Sequence, residues 1–81
     1  MKLATVQTIL NNAQASECHG NIFTTSGHSV SFEFYSGPGY SDPDIIGYNT
    51  DTEVVSILSS AVSSYIDCQS ITHIEVYPPK D

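Results

Sequence analysis

From Ser36 to Asp44 the chain reads Ser-Gly-Pro-Gly-Tyr-Ser-Asp-Pro-Asp, with two prolines and two glycines in nine residues, so neither a helix nor a central strand can run through it. This segment is an exposed loop, and regular elements must end before it or begin after it. A chain of this length buries roughly 60 to 65% of the surface its unfolded form exposes, which is enough for one modest core. Residues 1–81 are therefore expected to form a single domain.

Ahead of the loop, Leu3, Val6, Ile9, Leu10 and Ala13 recur at helical spacing. Residues 3 to about 16 read as an amphipathic helix that His19-Gly20 ends. Ile22–Thr25 and His28–Tyr35 are rich in β-branched and aromatic residues and flank Ser26-Gly27, read as a tight two-residue hairpin connection. Val30, Phe32 and Phe34 share one face of the second strand, and Ser29, Ser31, Glu33 and Tyr35 share the other.

Beyond the loop, Ile45-Ile46-Gly47-Tyr48 reads as a short third strand. Thr50 and Glu53 then stand in capping-box spacing before Val54, Val55, Ile57, Leu58, Ala61, Val62, Tyr65 and Ile66, which predicts a second helix to about Ile66. In Ile71–Tyr77, Ile74 and Val76 alternate with His73, Glu75 and Tyr77, a last strand that Pro78-Pro79 stops. The expected fold is α+β in the order α-β-β-β-α-β. Two helices would cover one face of an antiparallel sheet of three to four strands. The core would be Leu3, Val6, Ile9, Leu10, Val30, Phe32, Phe34, Val54, Leu58, Val62, Ile74 and Val76.

Nine carboxylates stand against two lysines and no arginine, a formal charge of −7. Direct binding of nucleic acid or of an anionic membrane needs Lys and Arg, and Lys2 and Lys80 sit at opposite ends of the sequence. A basic protein surface is a better match. The first residues have the outline of a secretory signal, but Thr5, Gln7 and Thr8 interrupt the apolar run. No stretch approaches the roughly 18 apolar residues of a membrane span. The expected setting is cytoplasmic.

Cys18, His19, His28, Cys68 and His73 invite a metal reading, but no paired ligand spacing occurs. Unpaired, half-buried thiols are favoured over a disulfide, and a disulfide over a metal site, so no cofactor is expected. Cys18 with His28 or His73 lacks an orienting third group, and no nucleophile elbow is present, so no catalytic residue is assigned. The glycines at 37 and 39 lack a lysine and precede Asp42 and Asp44, which disfavours anion binding. What remains is a surface of tyrosines beside carboxylates: Glu33, Tyr35, Tyr40, Asp42, Asp44, Tyr48, Asp51 and Glu53. Tyrosine gives large contact area at low entropic cost, and carboxylates steer a basic partner. A non-enzymatic protein-binding module is the expected function, acting as monomer or homodimer. The alternatives are a small Cys/His metal-dependent or enzymatic module, and a structural subunit assembling through a sheet edge.

In size, charge, α+β layout and this tyrosine-carboxylate surface, the chain resembles the small acidic phage-encoded inhibitors of the anti-CRISPR type. The resemblance implies binding to a subunit of a CRISPR interference complex, blocking DNA engagement or nuclease recruitment. As a DNA mimic, Asp42, Asp44, Asp51 and Glu53 would stand in for phosphates, with Tyr40 and Tyr48 as anchors.

Overall fold

The computed structural model describes residues 1–39 and 42–79. In chain order these form α1 (Leu3–Ala15), β1 (His19–Thr24), β2 (Ser29–Glu33), β3 (Ile45–Asn49), β4 (Val54–Leu58), β5 (Ser63–Asp67), a single 3-10 turn (Cys68–Ser70) and β6 (Ile71–Tyr77). The strands make two three-stranded antiparallel sheets, ordered β2-β1-β6 and β3-β4-β5. This overturns the expected single sheet under two helices: the described chain is mostly β with one helix.

Leu3, Val6, Leu10 and Ala13 form one stripe along α1 and are all buried. The helix ends earlier than His19-Gly20. Glu17 takes the left-handed conformation, with φ of 53°, and two bonds close the end, Glu17 N–H to Gln14 O at 3.2 Å and Cys18 N–H to Ala13 O at 2.8 Å. His19 and Gly20 then already belong to β1. The β1–β2 hairpin also differs from expectation. It closes on three residues, Thr25, Ser26 and Gly27, because the Thr24 N–H donates to His28 O at 3.0 Å and Gly27 adopts a φ of 86°.

The largest correction falls on residues 50–66, where the expected helix is the β4–β5 hairpin. Local side chains decide this. Asn49 Oδ1 accepts from the N–H groups of Asp51 and Thr52, at 3.0 and 3.1 Å, making a turn where a capping box at Thr50 and Glu53 was expected. Glu53 sits at a φ of 55°, outside right-handed helix space. Ser59 Oγ bonds both O and N–H of Val62, at 2.9 and 3.0 Å, and closes the second turn. Between the turns, Val54, Val55 and Ile57 are β-branched and favour the extended chain.

A left-handed residue other than glycine costs about 1 kcal/mol or more. Replacing Glu53 by Gly is therefore expected to raise stability by about 1 kcal/mol, read as a higher denaturant midpoint.

The helix and both sheets share one hydrophobic core: Leu3, Val6, Leu10 and Ala13 from α1, Ile22, Phe32 and Phe34 from β1 and the β2 region, Val55, Ile57 and Ile66 from the second sheet, with Cys68 and Ile71. Each large apolar side chain fully withdrawn from water there contributes roughly 1.5–3 kcal/mol. Ile9, Val30, Val54, Leu58 and Ile74 are only partly buried. Val62 and Val76 are 59% and 41% exposed and leave the expected core. Val62 lies in the β4–β5 turn, and Val76 lies on an edge strand. Two polar ties fix the layers: Tyr48 Oη donates to Asn11 Oδ1 at 3.0 Å, and the Met1 amino group donates to Cys68 O and Ile71 O at 2.8 and 3.2 Å.

Candidate functional site

Strand register makes the outer face of the first sheet a grid. Gly20, Ile22 and Phe32 turn toward the core, so the alternate residues face away from it. Across β2, β1 and β6 the rows read Glu33, His19, Tyr77, then Ser31, Asn21, Glu75, then Ser29, Phe23, His73. Two of these nine side chains are carboxylates, and none is Lys or Arg.

The rings interlock. His19 lies 5.5 Å from Tyr77 and 5.6 Å from Tyr35 between ring centroids, and Phe23 stacks on His73 at 4.4 Å with the planes 7° apart. Glu75 joins the two ends of this ring system. It accepts from Tyr77 Oη at 2.7 Å on Oε1, and its Oε2 lies 3.8 Å from His73 Nε2. The hydrogen bond to Glu75, and then the charge of that carboxylate, push the Tyr77 phenol above its ordinary pKa. Ser31 Oγ donates to Asn21 Oδ1 at 2.9 Å in the middle row. The Nδ1 of His19 is buried, with no hydrogen-bond partner among the described residues. Such a face offers aromatic planes for a cation to lie on and carboxylates to accept its hydrogen bonds.

The tyrosine-carboxylate cluster expected from the sequence is dispersed. Glu33 is exposed at the end of β2 and belongs to the grid. Tyr35 is 6% exposed and packs against His19, so it is no part of an open strand face. Tyr40 lies outside the described residues. Asp42 is exposed before β3, whereas Asp51 and Glu53 lie beyond its far end. A five-residue strand separates these groups by roughly 13 Å or more. Tyr48 is half-buried, bonds Asn11 and turns toward the core, and burial pushes its phenol up.

Asp44 has a structural task. Its N–H donates to Glu33 O, and its Oδ2 accepts from Glu33 N–H, both at 2.9 Å. Partial burial raises its pKa most, the Glu33 N–H opposes that, and the Glu33 charge adds to the rise. A carboxyl raised in the folded state favours folding while protonated, and that contribution is lost as pH climbs from 3.8 through the raised value. Asp44→Asn keeps an acceptor and drops the charge. It is expected to raise stability at neutral pH by roughly a few tenths of a kcal/mol once solvent screening is allowed for, and to flatten stability against pH just above 3.8.

Cys18 and Cys68 are free thiols, the second buried and its pKa pushed up chiefly by that burial. Among the described residues no group of three or more His, Cys, Asp or Glu is arranged to hold a metal ion, and no helix is long and apolar enough to cross a membrane. A shallow open depression lies away from the grid, lined by Met1, Lys2, Glu53 and Gln69.

Sequence reasoning leaves His19 and Asn21 out of the site because it ends the helix at His19-Gly20 and starts the strand only at Ile22, and it places Phe23 in that strand without assigning it to an outer face. The alternation of Gly20 and Ile22 with these three is the signal that β1 starts at His19. Comparison with known proteins returns no match to a family model, to a curated protein or to a solved structure.

Proposed function

We propose that the chain is a non-enzymatic protein-binding module that engages a basic protein surface through the outer face of its first sheet. The observation that carries this reading is the grid itself: rings and carboxylates fixed by strand register in a chain of net charge −7. Arginine is the side chain it suits best, because a guanidinium can stack on Tyr77 or His19 while bonding Glu33 or Glu75. Catalysis finds less support, since His73 and Glu75 lie on an open face, 57% and 42% exposed.

Proteins that handle nucleic acid carry the densest Lys and Arg surfaces, so a cytoplasmic complex of that kind is the proposed partner class. A CRISPR interference subunit is the instance that the resemblance to small phage inhibitors suggests. The acidic residues past the loop, Asp42 and Asp51, then act at longer range by speeding encounter.

The test is a titration of the labelled protein with an arginine-rich peptide and its lysine-for-arginine counterpart, followed by NMR. Expected are shifts at His19, Glu33, Glu75 and Tyr77, tighter binding of the arginine peptide, and a loss of affinity of roughly ten-fold or more in Tyr77→Ala if that ring is an anchor. Shifts confined to Asp42 and Asp51, or equal affinity for both peptides with Tyr77→Ala unchanged, would remove the grid as the binding site.

A further inference from the structure

An edge strand is a template for another strand unless something blocks it. On β2 the block is Asp44, which takes both the amide and the carbonyl of Glu33. Those bonds also fix the ladder. Glu33 turns its backbone away from β1, so its partner His19 turns its own toward β6, because opposed residues alternate between bonded and non-bonded pairs. His19, Asn21 and Phe23 thus exchange bonds with Tyr77, Glu75 and His73, and the backbone groups of Ile74 and Val76 point off the sheet. Among the described residues, no backbone bond reaches them. From 71 to 77 the strand holds no Pro and no Lys, and Val76 and Tyr77 are 41% and 42% exposed.

We infer that β6 pairs antiparallel with β6 of a second copy of this chain, about a two-fold axis at Ile74, joining the two first sheets into one. The register follows from two conditions. Only residues whose backbones point outward can exchange bonds, so Ile74 and Val76 are the positions through which the two strands must meet, Thr72 being the extra residue where the β1–β6 register shifts. Of the registers this permits, the one centred on Ile74 sets Ile74 against its own copy, Thr72 against Val76, and His73 against Glu75 on both sides of the axis. A step in one direction opposes His73 to His73, and a step in the other opposes Glu75 to Glu75. The register centred on Ile74 is thus the one of these three that sets each Glu75 carboxylate against a His73 ring able to donate a hydrogen bond to it, and the pairing covers the exposed flank of Val76. Like net charge on the two copies keeps the association reversible.

This inference is independent of the proposed binding role, and its test uses the protein alone. Sedimentation equilibrium at physiological salt is expected to show the mass rising from 8.8 kDa toward twice that value with concentration. The amides of Ile74 and Val76 should exchange with solvent more slowly as the dimer fills. His73→Glu sets Glu against Glu on both sides of the axis and should weaken dimerisation roughly ten-fold, whereas the swap His73→Glu with Glu75→His should restore it. His28→Glu, which adds the same charge in the β1–β2 turn, should leave it unchanged. A constant mass of 8.8 kDa at every concentration overturns the inference. So does a dimer that survives His73→Glu undiminished, or one in which the swap fails to recover what the single change lost.

Discussion

Phe32→Ala is expected to cost about 3–5 kcal/mol, a large part of the 5–15 kcal/mol that holds an ordinary domain together. Phe32 is 1% exposed, its ring stacks on Phe34 at 5.0 Å between centroids, and it lies over Gly20 of the neighbouring strand. Gly20 has no side chain to fill the vacated space, and β1 is held by strands on both sides, so the cavity cannot collapse cheaply. The transfer and cavity contributions then act together. Urea unfolding followed by far-ultraviolet dichroism measures the loss, and an unchanged midpoint would remove Phe32 from the centre of the core.

What the sequence made legible was local. The stripe of Leu3, Val6, Leu10 and Ala13 marks α1, and the alternation around Phe32 marks β2, because each pattern matches one period only. Residues 54–66 match both. Val54, Val55, Leu58, Val62 and Ile66 suit a helix, while Val55 with Ile57 and Ser64 with Ile66 suit two short strands facing inward. The turn-forming side chains of Asn49 and Ser59 decided between them, and they bond their own neighbours in the chain. A reading weighted on apolar spacing alone passes over such residues.

The candidate site was legible in pieces for a related reason. Nearness in sequence grouped Asp42, Asp44, Asp51 and Glu53, but β3 is extended and carries its two ends apart. The grid is assembled by register between strands from residues 19–33 and 71–77, a non-local arrangement that hydrophobic periodicity does not encode. Glu33 alone belongs both to the expected cluster and to the grid. Asp44, grouped by charge with the binding residues, instead serves the sheet edge.

Gly20→Ala is expected to cost about 2–3 kcal/mol and to disturb the grid without altering any residue in it. A methyl group at position 20 would run into the backbone carbonyl of Glu75 and lie 2.8 Å from Cζ of Phe32. The ring could turn aside, but the carbonyl belongs to β6 and moves only if that strand withdraws from β1. Glycine is therefore required here by close approach of backbone, since its φ is not in the left-handed region. Withdrawal of β6 would carry His73, Glu75 and Tyr77 away from Phe23, Asn21 and His19, the partners that register sets opposite them. The expected result is a lower urea midpoint together with lost amide protection at Tyr77, Glu75 and His73, the three residues bonded to β1. Helix α1 should keep its own protection in the folded fraction, because its core contacts do not pass through Gly20. A variant that loses stability with β6 protection intact would show that the methyl group is absorbed by Phe32 alone, and the tie between this glycine and the proposed binding face would fail.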